Sequence, residues 1–229
     1  YRQNGIATFE LCSFQSRGIS STVGTQVEVT TAMMILDSYR AYEALESRSN
    51  IDSNNIGITG WSLGGGVALF SAWKPLNRAI NTNVKFAVHL PIYPPCIITP
   101  KLLDFGVSPI HILIGELDNW TPAQACQELV EKIDDNMSIT IYKGAHHSFD
   151  GNSMLSVNKN GYILEDCRLS MNSDGTILMN FFNIPMVTPL LQKIGLFMCA
   201  SRGPNYGRND SAKIKAFNFS KLFMKKHLN

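Results

Sequence analysis

Apolar positions along the chain recur in two rhythms. Short unbroken apolar runs alternate with longer stretches in which apolar side chains return every three or four positions. Residues 5–11 (GIATFEL), 56–60 (IGITG), 84–92, 110–115 (IHILIG) and 138–142 (SITIY) have the length and composition of buried strands. Residues 30–48 put Met34, Ser38, Ala41, Tyr42 and Leu45 on one helical face. Residues 62–79 are helical in composition, and residues 122–133 form an amphipathic helix opened by Thr121 and Pro122. A terminal helix over 210–228 is expected to turn Ile214, Phe217, Leu222 and Phe223 inward, while residues 12–26 and 50–55 are loops. Strands separated by helices predict the α/β class, a mostly parallel sheet flanked by helices on both faces, in one domain over 1–229. Residues 151–209 break the rhythm. Strand-like pieces around a turn at 172–175 (NSDG), then Pro185, Pro189 and RGPNYG, make an excursion too long for a plain connection.

The junction of the second run with the helix after it carries chemistry. Gly60-Trp61-Ser62-Leu63-Gly64 fits G-x-S-x-G, with a strand before it and a helix behind it, which is the setting of a nucleophile elbow. Gly60 and Gly64 are expected to leave room for the turn, and Gly65 and Gly66 to let the helix lie close to the sheet. The N–H of Leu63, opening the helix, would face the charge that develops on an attacked carbonyl. The bland alternative is a glycine-rich turn with an incidental serine.

A serine hydroxyl needs a base. His89 and His111 lie inside apolar strands and His227 sits beside Lys225 and Lys226, leaving His146 and His147 just past the last strand. An acid should come between serine and histidine in the chain. Glu116 and Asp118 both follow the run 110–115; Asp118 lies further into the turn and is favoured, whereas Asp37 and Asp52 have no such position. Trp61, Asn119 and Trp120 are candidates to line a substrate pocket, or else pack at loop ends. Arg17 is the one cation near the expected mouth, with loop bracing as its plain reading.

These residues resemble the dienelactone hydrolase family of the α/β-hydrolase superfamily. The likeness runs through residues 5–18, GWSLGGGVAL, GELDNWTP, YKGAHHSFD and the terminal helix. It implies an α/β-hydrolase fold and a triad of Ser62, Asp118 and His147, since the family's histidine precedes a small residue and Phe, here Ser148 and Phe149. Family members that cleave dienelactone use a cysteine nucleophile, so Ser62 points to the esterase-like branch. Relatives often carry an acid where Cys12 stands. The family's first strands and its His-Gly oxyanion loop would precede Tyr1, so the chain is expected to be a fragment or processed form whose second oxyanion donor lies upstream.

The implied function is a serine hydrolase of carboxylic esters or lactones, acting through an acyl-enzyme on a small-molecule substrate. A peptidase or acyltransferase could use the same triad, and a non-catalytic binding protein could keep the fold. No metal or organic cofactor is required by that chemistry. Twenty basic against eighteen acidic side chains, a formal charge of +2, predict no nucleic-acid face, and no run of eighteen apolar residues occurs.

Five cysteines, Cys12, Cys96, Cys126, Cys167 and Cys199, show no C-x-x-C pair. Five reduced thiols in a cytoplasmic protein is one reading. The other is two disulfides and an exported protein, periplasmic or secreted. Adjacent βα units would bring Cys96 to Cys126, and Cys167–Cys199 would staple the excursion, with Cys12 left over.

Overall fold

The computed structural model describes residues 1–23, 29–80, 82–133 and 136–228; the end of the expected loop 12–26 therefore lies outside the described residues. In chain order the elements are α1 (Thr31–Glu46), β1 (Gly57–Trp61), α2 (Leu63–Phe70), α3 (Lys74–Ile80), β2 (Val88–Ile92), β3 (Ile98–Pro100) and β4 (Ile110–Gly115). They continue with α4 (Ala123–Val130), β5 (Met137–Tyr142), β6 (Ser156–Val157), β7 (Tyr162–Ile163), β8 (Leu169–Met171) and β9 (Ile177–Leu178). The chain closes with α5 (Pro189–Phe197), β10 (Ser201–Arg202), β11 (Asn205–Tyr206) and α6 (Asp210–Leu228).

Four strands form the central sheet in the order β1-β2-β4-β5, every pair parallel. Its interior is made of branched aliphatic side chains: Val88, Leu90, Ile112, Leu113 and Ile114 are inaccessible to solvent. Full burial of each such side chain stabilises the fold by about 1.5–3 kcal/mol relative to leaving it exposed. Helices cover both faces, as two histidines reveal. His89 on β2 is paired in register with Ile110, so His111, one residue further along β4, points to the opposite face. The His89 imidazole meets the Ala68 carbonyl of α2 at 2.8 Å, whereas the His111 ring packs 4.2 Å from Phe219 of α6.

Three expectations about the elements are corrected, and one is extended. Residues 5–11 are not a buried strand: they are irregular, and Phe9 is 60% exposed. A strand exists only with a ladder partner, and none among the described residues pairs with this segment. The helical stretch 62–79 is two helices, because Pro75 cannot continue the backbone ladder of α2. The buried face of α1 includes the expected Ser38 and Tyr42 together with Ile35 and Tyr39, and Met34 and Leu45 pack partly buried against the core beside them. In α6 the inward residues are Ala212, Ala216, Ser220 and Met224, which let the helix lie close to the sheet. Ile214, Phe217 and Leu222 face solvent, and Phe223 is partly buried.

The excursion is built from small pieces. β8 and β9 form an antiparallel hairpin around the turn at 172–175, and β3 joins that hairpin in parallel with β8. The two-residue strands pair as β7 with β10 and β6 with β11. Cys167 and Cys199 are joined, with Cα atoms 5.0 Å apart, fastening the end of α5 to the start of β8. Cys96 and Cys126 are joined likewise at 4.9 Å, tying the loop after β2 to α4, and Cys12 is free and exposed.

Candidate active site

The carboxyl ends of β1, β2, β4 and β5 all open on one edge of the sheet, the edge where open α/β sheets bind ligands. Ser62 is the single residue between β1 and α2, and its backbone has φ 54° and ψ −118°. A non-glycine residue in that region carries about 1–3 kcal/mol of strain. Two backbone bonds hold it there: the Ser62 N–H donates to the Ile92 carbonyl at 2.9 Å, and Gly66 N–H donates to the Ser62 carbonyl at 3.0 Å. Gly60 is required, because any Cβ there would run into the Gly64 carbonyl. Gly65 lies against the β2 backbone, where a Cβ would stand 2.6 Å from the Ile92 oxygen, and Gly66 lies against Pro95. Gly64 differs from the expectation. A side chain there would meet nothing within 4 Å, so the crowding is all at Gly60 and Gly65.

β4 delivers the acid. Asp118 is 3% exposed, and its Oδ1 accepts from the backbone N–H groups of Trp120 at 3.0 Å and Thr121 at 2.8 Å. Those two bonds orient the carboxylate so that Oδ2 faces His147 Nδ1 at 2.7 Å. The loop after β5 brings that imidazole, itself 2% exposed, to Ser62, with Nε2 2.9 Å from Oγ. A proton on Nδ1, donated to Asp118, leaves Nε2 as acceptor for the Ser62 hydroxyl. Ser62, His147 and Asp118 therefore form one continuous hydrogen-bonded chain.

The rejected candidates have other partners. His146 Nδ1 lies 3.1 Å from the Leu117 carbonyl, and exposed Glu116 accepts from Gly144 N–H at 2.8 Å, so both brace the histidine turn. Arg17 forks onto Asp37 at 2.7 and 2.9 Å and does not enter the site. Asp52 caps the turn at Ser53–Asn55. Burial pushes the His89 imidazole down to about 4, as befits an uncharged core histidine. Among the described residues no three His, Cys, Asp or Glu side chains gather as a metal site would require, and no helix is long and apolar enough to cross a membrane.

With the site in view, the comparisons bear on it. A profile of the dienelactone hydrolase family matches residues 8–162, more than half of the chain and a span that includes Ser62, Asp118 and His147. The chain belongs to the dienelactone hydrolase family. Among solved structures it is similar to the apo form of Thermogutta terrifontis esterase 2, at 19% identity over 56% of this chain and 59% of that one, TM-score 0.46. It is also similar to an alpha-beta serine hydrolase homologue from Coxiella burnetii, at 20% identity over 51% of each chain, TM-score 0.38. The chain thus spans between about half and three fifths of the length of those structures. No curated protein matches it.

In this dienelactone hydrolase-family chain the three expected pocket residues occupy distinct positions. Trp61 is 42% exposed beside Ser62, and its indole N–H donates to Asp150 at 2.6 Å. Trp120 packs on the His147 ring, with centroids 4.9 Å apart. Asn119 turns away: its Oδ1 accepts from Asn205 N–H at 2.9 Å, fastening the excursion to the acid turn. Gly207 N–H adds a bond to the His147 carbonyl at 2.9 Å.

Three participants were missed from sequence. Thr121 Oγ1 sits 2.9 Å from Asp118 Oδ2, 3.1 Å from His147 Nδ1 and 3.1 Å from the Tyr93 carbonyl. Its spacing from Asp118, three residues on at a helix start, was the available signal, an acid closing back on the turn. Tyr93 and Asp150 gave only the weaker sign of polar residues at strand ends.

Proposed function

We propose that the protein hydrolyses a carboxylic ester or lactone through a serine acyl-enzyme. The observation that carries this reading is the continuous chain from Ser62 Oγ through His147 to buried Asp118. Ser62 Oγ attacks the ester carbon while His147 Nε2 takes the hydroxyl proton, and Asp118 stabilises the imidazolium without accepting the proton. Negative charge grows on the carbonyl oxygen. Leu63, the first residue of α2, supports it, because the N–H of a first helical residue has no acceptor within the helix and lies at the positive end of its dipole. His147 then returns the proton to the leaving alcohol, and a water activated by the same Nε2 cleaves the acyl-serine. For a lactone, the leaving alcohol stays tethered to the acyl group, and the second step releases a single hydroxy acid.

Trp61 and Trp120 flank the reacting atoms and are assigned to the substrate pocket; Asn119 shapes it through the excursion. Labelling with a fluorophosphonate probe tests the nucleophile: label on the intact protein, lost in Ser62→Ala, is expected, and no labelling of the folded protein would overturn the reading. A panel of p-nitrophenyl esters, lactones and peptide amides then separates ester cleavage from peptidase action, and added alcohols detect acyl transfer. We further propose an oxidising compartment, periplasmic or secreted, a reading that the two disulfides support. Alkylation of the protein drawn directly from its host should find one free thiol; five would return it to the cytoplasm.

A further inference from the structure

The chemistry above leaves one acid beside the reaction centre without a task. Asp150 lies three residues beyond His147, and both of its carboxylate oxygens are occupied. Oδ1 accepts from the Tyr93 hydroxyl at 2.8 Å and Oδ2 from the Trp61 indole at 2.6 Å. The two donors belong to different strands. Trp61 ends β1 and immediately precedes Ser62, so its side chain anchors the entrance to the elbow. Tyr93 directly follows β2, and its ring meets the His147 imidazole edge-on with centroids 4.6 Å apart. The same ring packs 5.4 Å from Phe149, on the loop that carries both His147 and Asp150.

Tyr93 is an unusual residue to find in this position. Its φ of 38° is one that a bulky side chain rarely adopts, so packing and hydrogen bonding must hold it there. Its carbonyl accepts from Thr121 Oγ1, which also touches Asp118. Burial, and next the Asp150 charge, push the Tyr93 hydroxyl well above its ordinary range, which keeps it a donor. Bonds from neutral donors to a carboxylate are roughly twice as strong as neutral ones. Losing the acceptor would take the charged partner from the Tyr93 hydroxyl, in a largely buried side chain, and leave it the Ser148 side chain.

We propose that Asp150 is a positioning residue for the hydrolysis, one carboxylate that ties the end of β1 to the loops after β2 and β5 and so fixes the separation of His147 Nε2 from Ser62 Oγ. It touches neither reacting atom. It acts through Trp61 on the nucleophile and through the Tyr93 ring on the base. The proposal rests on Ser62 and His147 being nucleophile and base. Misplacing reacting groups by about 1 Å costs on the order of 10²-fold in rate, which bounds the effect expected here.

Steady-state kinetics on a p-nitrophenyl ester test it. Asp150→Ala should lower kcat by about 10- to 100-fold with KM within about two-fold, and slow fluorophosphonate labelling of Ser62 in proportion. Asp150→Asn should recover most of that loss, since its amide oxygen still accepts from Trp61 and its NH₂ donates to the Tyr93 oxygen. Trp61→Phe combined with Asp150→Ala should cost less than the product of the single losses. Should Asp150→Ala not fold, Tyr93→Phe carries the test with the same split. The proposal is overturned if Asp150→Ala turns over like the parent while Ser62→Ala is dead, or if Asp150→Asn is as poor as Asp150→Ala. If Ser62→Ala itself stays active, the hydrolase reading falls instead.

Discussion

Between Gly57 and Tyr142 the backbone is fixed by parallel strands of five and six residues, whose side chains are packed from both faces. Between Ser156 and Tyr206 no strand exceeds three residues, and Phe182 and Phe197 stand 90% and 84% exposed. The two regions nevertheless meet at the site, through Asn205 on Asn119 and Gly207 on His147. Ser62 and Asp118 come from the first region, at the ends of β1 and β4, and His147 sits just beyond it, on the loop that leaves β5. The proposed reaction, which tolerates little displacement, thus rests on the ladder, and the excursion contributes a border. Rigidity is supplied where the chemistry needs it.

The largest expected effects probe the ladder side. Ser62→Ala and His147→Ala should each lower kcat by about 10⁶-fold, and Asp118→Asn by about 10⁴-fold, in ester turnover measured at fixed pH. His146→Ala should cost less than about ten-fold, because its ring reaches only the Leu117 carbonyl. If His146→Ala were the severe variant, the base would have been misassigned.

The disulfides sharpen the comparison, since both close loops of nearly equal length, with separations of 30 and 32 residues. Chain entropy alone would assign each about 4 kcal/mol. Any difference between them therefore reports on the native surroundings. Replacing Cys96 and Cys126 together by Ala, in the fully buried seam between the β2 loop and α4, should lower the melting temperature of the whole protein. The paired replacement of Cys167 and Cys199 should instead leave that melt nearly unchanged and open residues 151–209 to limited proteolysis. Equal losses of melting temperature with no new cleavage would show the two regions to be one cooperative unit.

Acid should distinguish the regions more gently. Burial lowers His89 and His111 from 6.5 to about 4, and both lie in the sheet. The unfolded chain takes up these protons below about pH 6.5 while the folded chain refuses them until about pH 4. Stability is therefore full above pH 6.5 and falls as pH drops towards 4. The buried His89 accounts for on the order of 2–3 kcal/mol and the half-buried His111 for less. Urea unfolding followed between pH 8 and 4.5 should show this slope, and His89→Gln should flatten it.

The sequence was most legible where a local pattern and its function coincide. The strand, the elbow and the helix at residues 56–70 lie within fifteen consecutive residues, so Ser62 could be read directly, and GELDNWTP and GAHHSFD supplied its partners in chain order. Tyr93 and Asp150 were not readable, because their importance comes from contacts between residues 57 and 89 positions apart, whereas Thr121 left a local trace in its spacing from Asp118. The excursion was seen as a departure but not resolved, since two-residue strands leave no periodicity. In α6 apolar residues occur on every side, and counting the largest ones chose the wrong face over the small stripe of Ala212, Ala216 and Ser220.

The backbone of Ser62 sets the proposed reaction against the stability of the fold. With φ at 54°, the position suits glycine better than serine, so Ser62→Gly should melt higher than the parent while losing turnover. The gain is about 1 kcal/mol or less. On the proposed hydrolysis, the need for a nucleophile is what keeps a serine there against that gradient. A descendant freed from the reaction would be expected to relax at Ser62 first, long before drift reached the buried Asp118 or the core beneath it.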